Sequence, residues 1–453
     1  VVLAAACAAG GAFGLYVWLR PPVRPALPAT EARPPVVAAA DAPADVPPPP
    51  PLSAAALPPP APIALPASGV SADDRVQAEA LIRRLSASIE FSAKDVQLAE
   101  DLYARHPQEG TVRQLLEQVL IAAAAREIRG QRLTAALAFL RRATEVQPAS
   151  VPAWVALAQA LLEQGDWSGA ENAARQALAI APRTFDALQA LGYALLRQDR
   201  SREAEEALRA ALDVRSDGPT RDLLARVRKG LEDEHGMAEQ QLSHFHVRYD
   251  GDTHDAVGRE ILAALERHYA TLAVALDHQP QATIPVILFT REGYYDASGA
   301  PAWSGGVFDG LDGRIRVPIG GLSQSLTPDM DSTLLHELTH AFVNDRTRGL
   351  ATRDIQEGLA QYMEGKRVGS LLTDAELTAL ADGRVGGVGG FYLGALAYVE
   401  YLISIRGMGG MNDLLRTMGE TGSVDKAFDQ VHGQTHAASL RAFAQRMRTV
   451  HGS

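Results

Sequence analysis

Residues Leu334–Phe342, LLHELTHAF, set His336, Glu337 and His340 in the pattern H-E-x-x-H. At 3.6 residues per turn, the two imidazoles of a helix so spaced fall about 40° apart, with Glu337 about 100° from the first and 60° from the second. Leu334, Leu338, Ala341 and Phe342 take the opposite side. One face suits a core and the other a cleft. Two imidazoles one turn apart can reach a single Zn²⁺. The glutamate beside them cannot share their ligand position and is placed to take a proton from an activated water. The chain holds only 12 histidines in 453 residues, which makes a chance occurrence rare. Upstream, Thr327 is the expected N-cap, Pro328 suits the first turn and Asp329 complements the positive helix end.

A catalytic zinc takes three protein ligands and keeps one position open. The metzincin extension needs a glycine and a third histidine at positions held here by Val343 and Arg346, which excludes that type. The next histidine, His432, is too distant in the chain to belong to the same local motif. A carboxylate is therefore expected as third ligand, from Asp345, Asp354, Glu357 or Glu364. Asp345 closes the motif helix and is expected to point away. Asp354 is expected to cap the next helix, with Glu357 completing a box-like pattern. Ile355–Gly365, IQEGLAQYMEG, reads as an amphipathic helix, and Glu357 follows His340 by 17 residues, room for a loop and an antiparallel return.

Taken together, LLHELTHAFVN and IQEGLAQYMEG resemble the gluzincin clan of zinc peptidases, and most closely the bacterial peptidase MA-like domains, over about residues 240–450. The resemblance implies His336, His340 and Glu357 as ligands of a Zn²⁺ cofactor and Glu337 as general base. It further implies a tyrosine or histidine near the scissile carbonyl. Tyr392, Tyr398, His432 and His436 are available, and Tyr392 is the expected one. Thermolysin-like members carry an aspartate four residues after the ligand glutamate, where it orients a histidine. Gln361 stands there, which implies weaker orientation and a reduced rate or zinc affinity. The stretch 305–318, GGVFDGLDGRIRVP, resembles the edge strand on which such enzymes lay a peptide. The run Gly383–Gly390, GRVGGVGG, lacks the G-K-[ST] ending of a phosphate loop and is expected to form a flexible rim.

Upstream of the motif, His244–Tyr249, HFHVRY, alternates as a half-buried strand, with Phe245, Val247 and Tyr249 inward and His244, His246 and Arg248 facing solvent. A long helix is expected through Leu276, then strands at Ile284–Phe289 and Gly313–Pro318. Still earlier, a period of 34 emerges: Ala136, Ala170 and Ala204; Pro148 and Pro182; Leu157 and Leu191; Ala177 and Ala211. The segment WVALAQALLEQGDWSGAENAARQALAIAP, from Trp154 to Pro182, resembles a tetratricopeptide repeat, with a second unit after it and a weaker one over about 115–148. Small residues recur where two helices cross at close range. Such stacks offer a concave surface to a peptide or partner protein, or serve as a rigid spacer.

Residues 1–19 carry no charge and approach the length of a membrane-spanning helix, with Tyr16 and Trp18 in belt positions; a cleaved signal peptide is the rival reading. Residues 21–66 hold 17 of the 27 prolines, an extended polyproline tether. Tethers of this kind resemble those of bacterial envelope proteins, implying a periplasmic or extracytoplasmic soluble part. The single cysteine, Cys7, excludes an intramolecular disulfide and a Cys-based zinc site, and a net charge of −11 does not resemble a nucleic-acid binder.

The expected organisation is a transmembrane anchor or signal over 1–20, a Pro/Ala-rich linker over 21–70, an all-α tetratricopeptide solenoid over 71–235, and an α+β zincin-like domain with a helical C-terminal part over 240–450. The expected function is zinc-dependent hydrolysis of peptide bonds in protein substrates. The alternative is a non-catalytic envelope scaffold that binds partners through its repeats.

Overall fold

The computed structural model describes residues 63, 70–87, 91–130, 132–241, 243–249, 251–289, 294, 306–318 and 326–452. The expected anchor, and all but the end of the proline tether, lie outside them. No helix among the described residues is long and apolar enough to cross a membrane.

Among the described residues, nine helices run from Ala72 to Asp233: α1 (Ala72–Ser86), α2 (Ala93–Arg105), α3 (Gly110–Arg129), α4 (Leu133–Val146), α5 (Val151–Gln164), α6 (Trp167–Ile180), α7 (Phe185–Arg197), α8 (Ser201–Val214) and α9 (Gly218–Asp233). The 34-residue period is structural, since α4, α6 and α8 begin at 133, 167 and 201. Ala136, Ala170 and Ala204 hold the same place in each and are fully buried. At Gly192 of α7 an added Cβ would lie 2.6 Å from Leu208 of α8, so the crossing is close enough to demand a small residue. Leu116, Leu140, Leu161, Leu195 and Leu208 join one apolar core along the stack.

The character changes at β1 (Ala238–Gln241) and β2 (Phe245–Tyr249). After α10 (Gly251–Ala275) come β3 (Ile284–Phe289), β4 (Val307–Asp309) and β5 (Arg314–Pro318). They form a mixed sheet in the order β1-β2-β3-β5-β4. β2, β3 and β5 are parallel, while β1 and β4 pair antiparallel at the two edges. One face, from Phe245, Val247, Val286, Leu288, Ile315 and Val317, packs on Leu262 and Leu265 of α10 and on Leu334, Leu338 and Phe342 of the motif helix.

The other face overturns one sequence expectation. Arg248 is buried and His246 half-buried, neither facing open solvent. Both meet Asp199, in the α7–α8 turn of the solenoid: His246 Nδ1 lies 2.7 Å from its carboxylate and Arg248 donates to it at 2.9 Å. Arg314 of β5 donates to the same carboxylate at 2.6 Å and to Glu234 at 2.8 Å. The tip of the β4–β5 hairpin reaches further, for Leu311 is buried within the solenoid's own apolar core. Alternation identifies which residues leave a sheet's core face; it carries no information about what covers the second face.

The remaining helices are α11 (Pro328–Thr347), α12 (Arg353–Met363), α13 (Val368–Leu371), α14 (Asp374–Ala381), α15 (Gly387–Thr421), α16 (Val424–His432) and α17 (His436–His451). The glycine run is not wholly a loop, because α15 starts inside it at Gly387. The described chain is mostly helical, with tetratricopeptide-like repeats and one small mixed sheet.

Candidate metal centre

Helix α11 begins as its sequence dictates. Thr327 is the N-cap, its hydroxyl accepting from Met330 N–H, and Pro328 opens the first turn. Leu334, Leu338 and Phe342 are wholly buried, which fixes the helix's rotation and turns His336, Glu337 and His340 toward α12 and the sheet edge. Helix α12 comes close because of Gly358. A Cβ there would stand 2.2 Å from the carbonyl oxygen of Ala395 in α15, so only glycine lets α12 lie on α15 at this distance. The residue before it, Glu357, is thereby brought opposite the histidines.

His336, His340 and Glu357 each offer a ligand atom, all within 4.8 Å of one another. Oε2 of Glu357 lies 3.4 Å from His336 Nε2 and 3.7 Å from His340 Nε2. Tetrahedral zinc with bonds of about 2.0–2.1 Å holds its ligand atoms roughly 3.3–3.4 Å apart. The two distances to Glu357 fit that spacing to within a few tenths of an ångström. Glu357 Oε2 is buried and makes no hydrogen bond, with the two imidazole nitrogens as its ion-pair neighbours.

The far sides of both rings are engaged. His336 Nδ1 bonds Glu364, whose other oxygen meets Lys366 Nζ at 2.6 Å. His340 Nδ1 lies 3.1 Å from Gln356 Oε1. Each acceptor favours a proton on Nδ1, which leaves Nε2 as the nitrogen to face a metal once that atom carries no proton. The sequence missed both partners. Glu364 follows Glu357 by two helical turns on the same face, a spacing legible in principle.

Gln361 does something other than expected. Its side-chain N–H group donates to the backbone carbonyls of Glu357 at 3.0 Å and Tyr392 at 2.9 Å, tying α12 to α15. An aspartate, with no proton to donate, would repel both carbonyls. The rings are held instead by Glu364 and Gln356. Asp354 lies in the first turn of α12 after the N-cap position, Thr352, and its carboxylate meets His436 Nε2 at 3.0 Å. Asp345 pairs with His278 at 2.7 Å, away from the centre. Tyr398 donates to Ser439. Buried His432 Nε2 has no hydrogen-bond partner.

The charges are tightly coupled. Burial disfavours the His336 imidazolium, but the carboxylates of Glu357, Glu364 and Glu337 outweigh it and push the ring up to about 10. Burial would raise Glu357, yet His340 and His336 hold it well below the usual carboxylate range. The carboxylates that hold a proton on His336 would attract a divalent cation for the same reason. Glu337 is pushed upward by burial, against the pull of His336 and His340. It packs against Gly306, just before edge strand β4, where an added Cβ would stand 3.0 Å from Glu337 Cγ. Burial likewise raises Tyr392, aided by the charge of Glu357, while Arg353 bonds the phenol and opposes the shift. A pocket of about 430 Å³ between α12, α15 and α17 is lined by Arg353, Phe391, Tyr398, His436, Leu440 and Phe443; none of Tyr392, His336, His340 and Glu357 lines it.

Two tetratricopeptide-repeat family models match the chain, over residues 128–183 and 185–217, which span α4 to α8. No curated protein matches it. The chain thus carries tetratricopeptide repeats, and these suggest protein–protein interaction.

Proposed function

We propose that the chain is a zinc-dependent peptidase of the gluzincin type, tethered to a membrane by its N-terminal segment, with an extracytoplasmic soluble part. The observation that carries the reading is the convergence of one ligand atom each from His336, His340 and Glu357 within 4.8 Å of one another, with Glu357 Oε2 buried and not hydrogen-bonded. Zinc bound by these three atoms would supply Lewis-acid polarisation of a carbonyl and a water acidic enough to ionise near neutral pH. Glu337, buried and beside both ligands, would take the proton of the attacking water and hand it to the departing amine. The Tyr392 phenol, within reach of the fields of Glu357 and Glu337, would donate to the oxygen on which charge develops. Edge strand β4 would align an extended peptide. The repeats would present a partner or a protein substrate.

Glu337→Gln tests this directly. The variant should keep stoichiometric zinc by metal analysis and lose hydrolysis of an unfolded protein. A second reading, a scaffold with an idle metal centre, draws on the repeat matches at residues 128–217. Wild-type protein that binds one zinc and cleaves nothing across a broad peptide library would establish that reading instead.

A further inference from the structure

We infer that the α7–α8 turn of the solenoid is a positioning element of the metal centre, acting through the β4–β5 hairpin. The inference rests on the peptidase reading for its kinetic consequence only. Three independent contacts grip the hairpin tip. Leu311 is buried in the solenoid core. Arg197, at the end of α7, donates to the backbone carbonyl of Gly310. Arg226 of α9 pairs with Asp309 at 3.0 Å. Behind the tip, Asp199 draws Arg314 and Arg248 together, and Arg314 also donates to Ser201 at 2.6 Å.

The hairpin needs this grip. Strand β4 is three residues long and, among the described residues, pairs with β5 alone, so its own ladder holds it weakly. Yet the general base packs against its start: a Cβ at Gly306, the residue before β4, would stand 3.0 Å from Glu337 Cγ and 3.4 Å from its Oε1. The chain of contacts runs from Arg197 and Leu311 to the hairpin tip, then back along β4 to the general base. Arg197 also stacks on Trp167, 4.5 Å from the ring, so the grip is anchored in the preceding repeat. Arg197, Asp199 and Leu311 are thus positioning residues. None touches a ligand atom.

The test uses the full chain with zinc bound. In Arg197→Ala and Leu311→Ala, amide exchange over Val307–Asp309 should accelerate by about tenfold or more, with β2 and β3 unchanged. Zinc stoichiometry should hold, and kcat should fall roughly 10- to 100-fold while KM moves by less than about twofold. Arg197→Lys, which keeps a donor for Gly310, should recover part of the loss. Asp199→Asn keeps a side chain that tolerates the positive φ of this turn but removes the charge shared by Arg248 and Arg314, and should act in the same direction. Arg215→Ala, on the solenoid far from the hairpin tip, should change neither reading.

Exchange that stays slow in β4, or that rises equally in β2 and β3, overturns the proposal. So does faster exchange in β4 with undiminished kcat. Should the wild type bind zinc and hydrolyse nothing, the peptidase reading fails, and exchange over Val307–Asp309 alone decides the positioning claim.

Discussion

The solenoid and the sheet domain solve the same packing problem with different tolerance. In the repeats, Gly192 faces the end of a leucine side chain, and the motif recurs every 34 residues, so strain at one crossing can be shared along the stack. In the sheet domain, Gly358 faces a backbone carbonyl, and next to it stands a metal-ligand candidate with no second copy. Repetition makes a region legible and forgiving, whereas a single convergence of unlike residues is neither.

The sharpest way to break the comparison is at Glu357. Glu357→Ala should reduce bound zinc from one equivalent to nearly none, read by metal analysis after gel filtration, while circular dichroism keeps the helical signal of the repeats. Glu364→Ala should leave the three ligands in place yet weaken zinc about 10- to 100-fold, because His336 loses its orienting acceptor. A chelator competition would show that difference, and equal zinc affinity in wild type and variant would sink the role given to Glu364.

Gly358→Ala and Gly192→Ala probe tolerance with the same added methyl group. The first must push α12 from the Ala395 carbonyl and should cost about 1–3 kcal/mol or more by thermal unfolding, with weaker zinc binding. The second meets a movable leucine terminus and gains up to about 1 kcal/mol from better helix propensity, so its net effect should be small. A larger loss at Gly192 would reverse the contrast drawn between the two regions.

The smallest effect concerns acid. Asp74 in α1 is held at about 2 by His106, Ser71 and Arg105, below the ordinary aspartate value. A depressed folded-state pKa adds stability above the unfolded value near 3.8, and that contribution disappears as pH falls through about 2. Melting curves should therefore separate wild type from Asp74→Asn at neutral pH and converge between pH 4 and 2.

Much of this was written in local pattern. The period of 34 placed the repeat helices because each unit must bury the same alanines against its neighbours. The i, i+4 histidines placed two ligand candidates because a helix face is a local property. Glu357 was reached through resemblance to a known motif pair. Its geometric cause, the Gly358–Ala395 contact, lies 37 residues apart in sequence and left no local mark. The contacts of Gln361 were hidden for a similar reason, since its acceptors include a carbonyl on α15. The covering of His246 and Arg248 by Asp199 joins elements nearly fifty residues apart, and no alternation within a strand encodes what lies across from it.

Leu311 bears on how such a chain can be rearranged. A recombination boundary placed in the apparent gap between Asp233 and Ala238 would separate the hairpin from the socket that receives its tip. A sheet domain moved to another helical array would carry an orphaned leucine, and Arg248 and Arg314 without the Asp199 carboxylate they share. The transferable unit therefore begins earlier than the change from helix to strand suggests, and includes at least the repeat formed by α7 and α8.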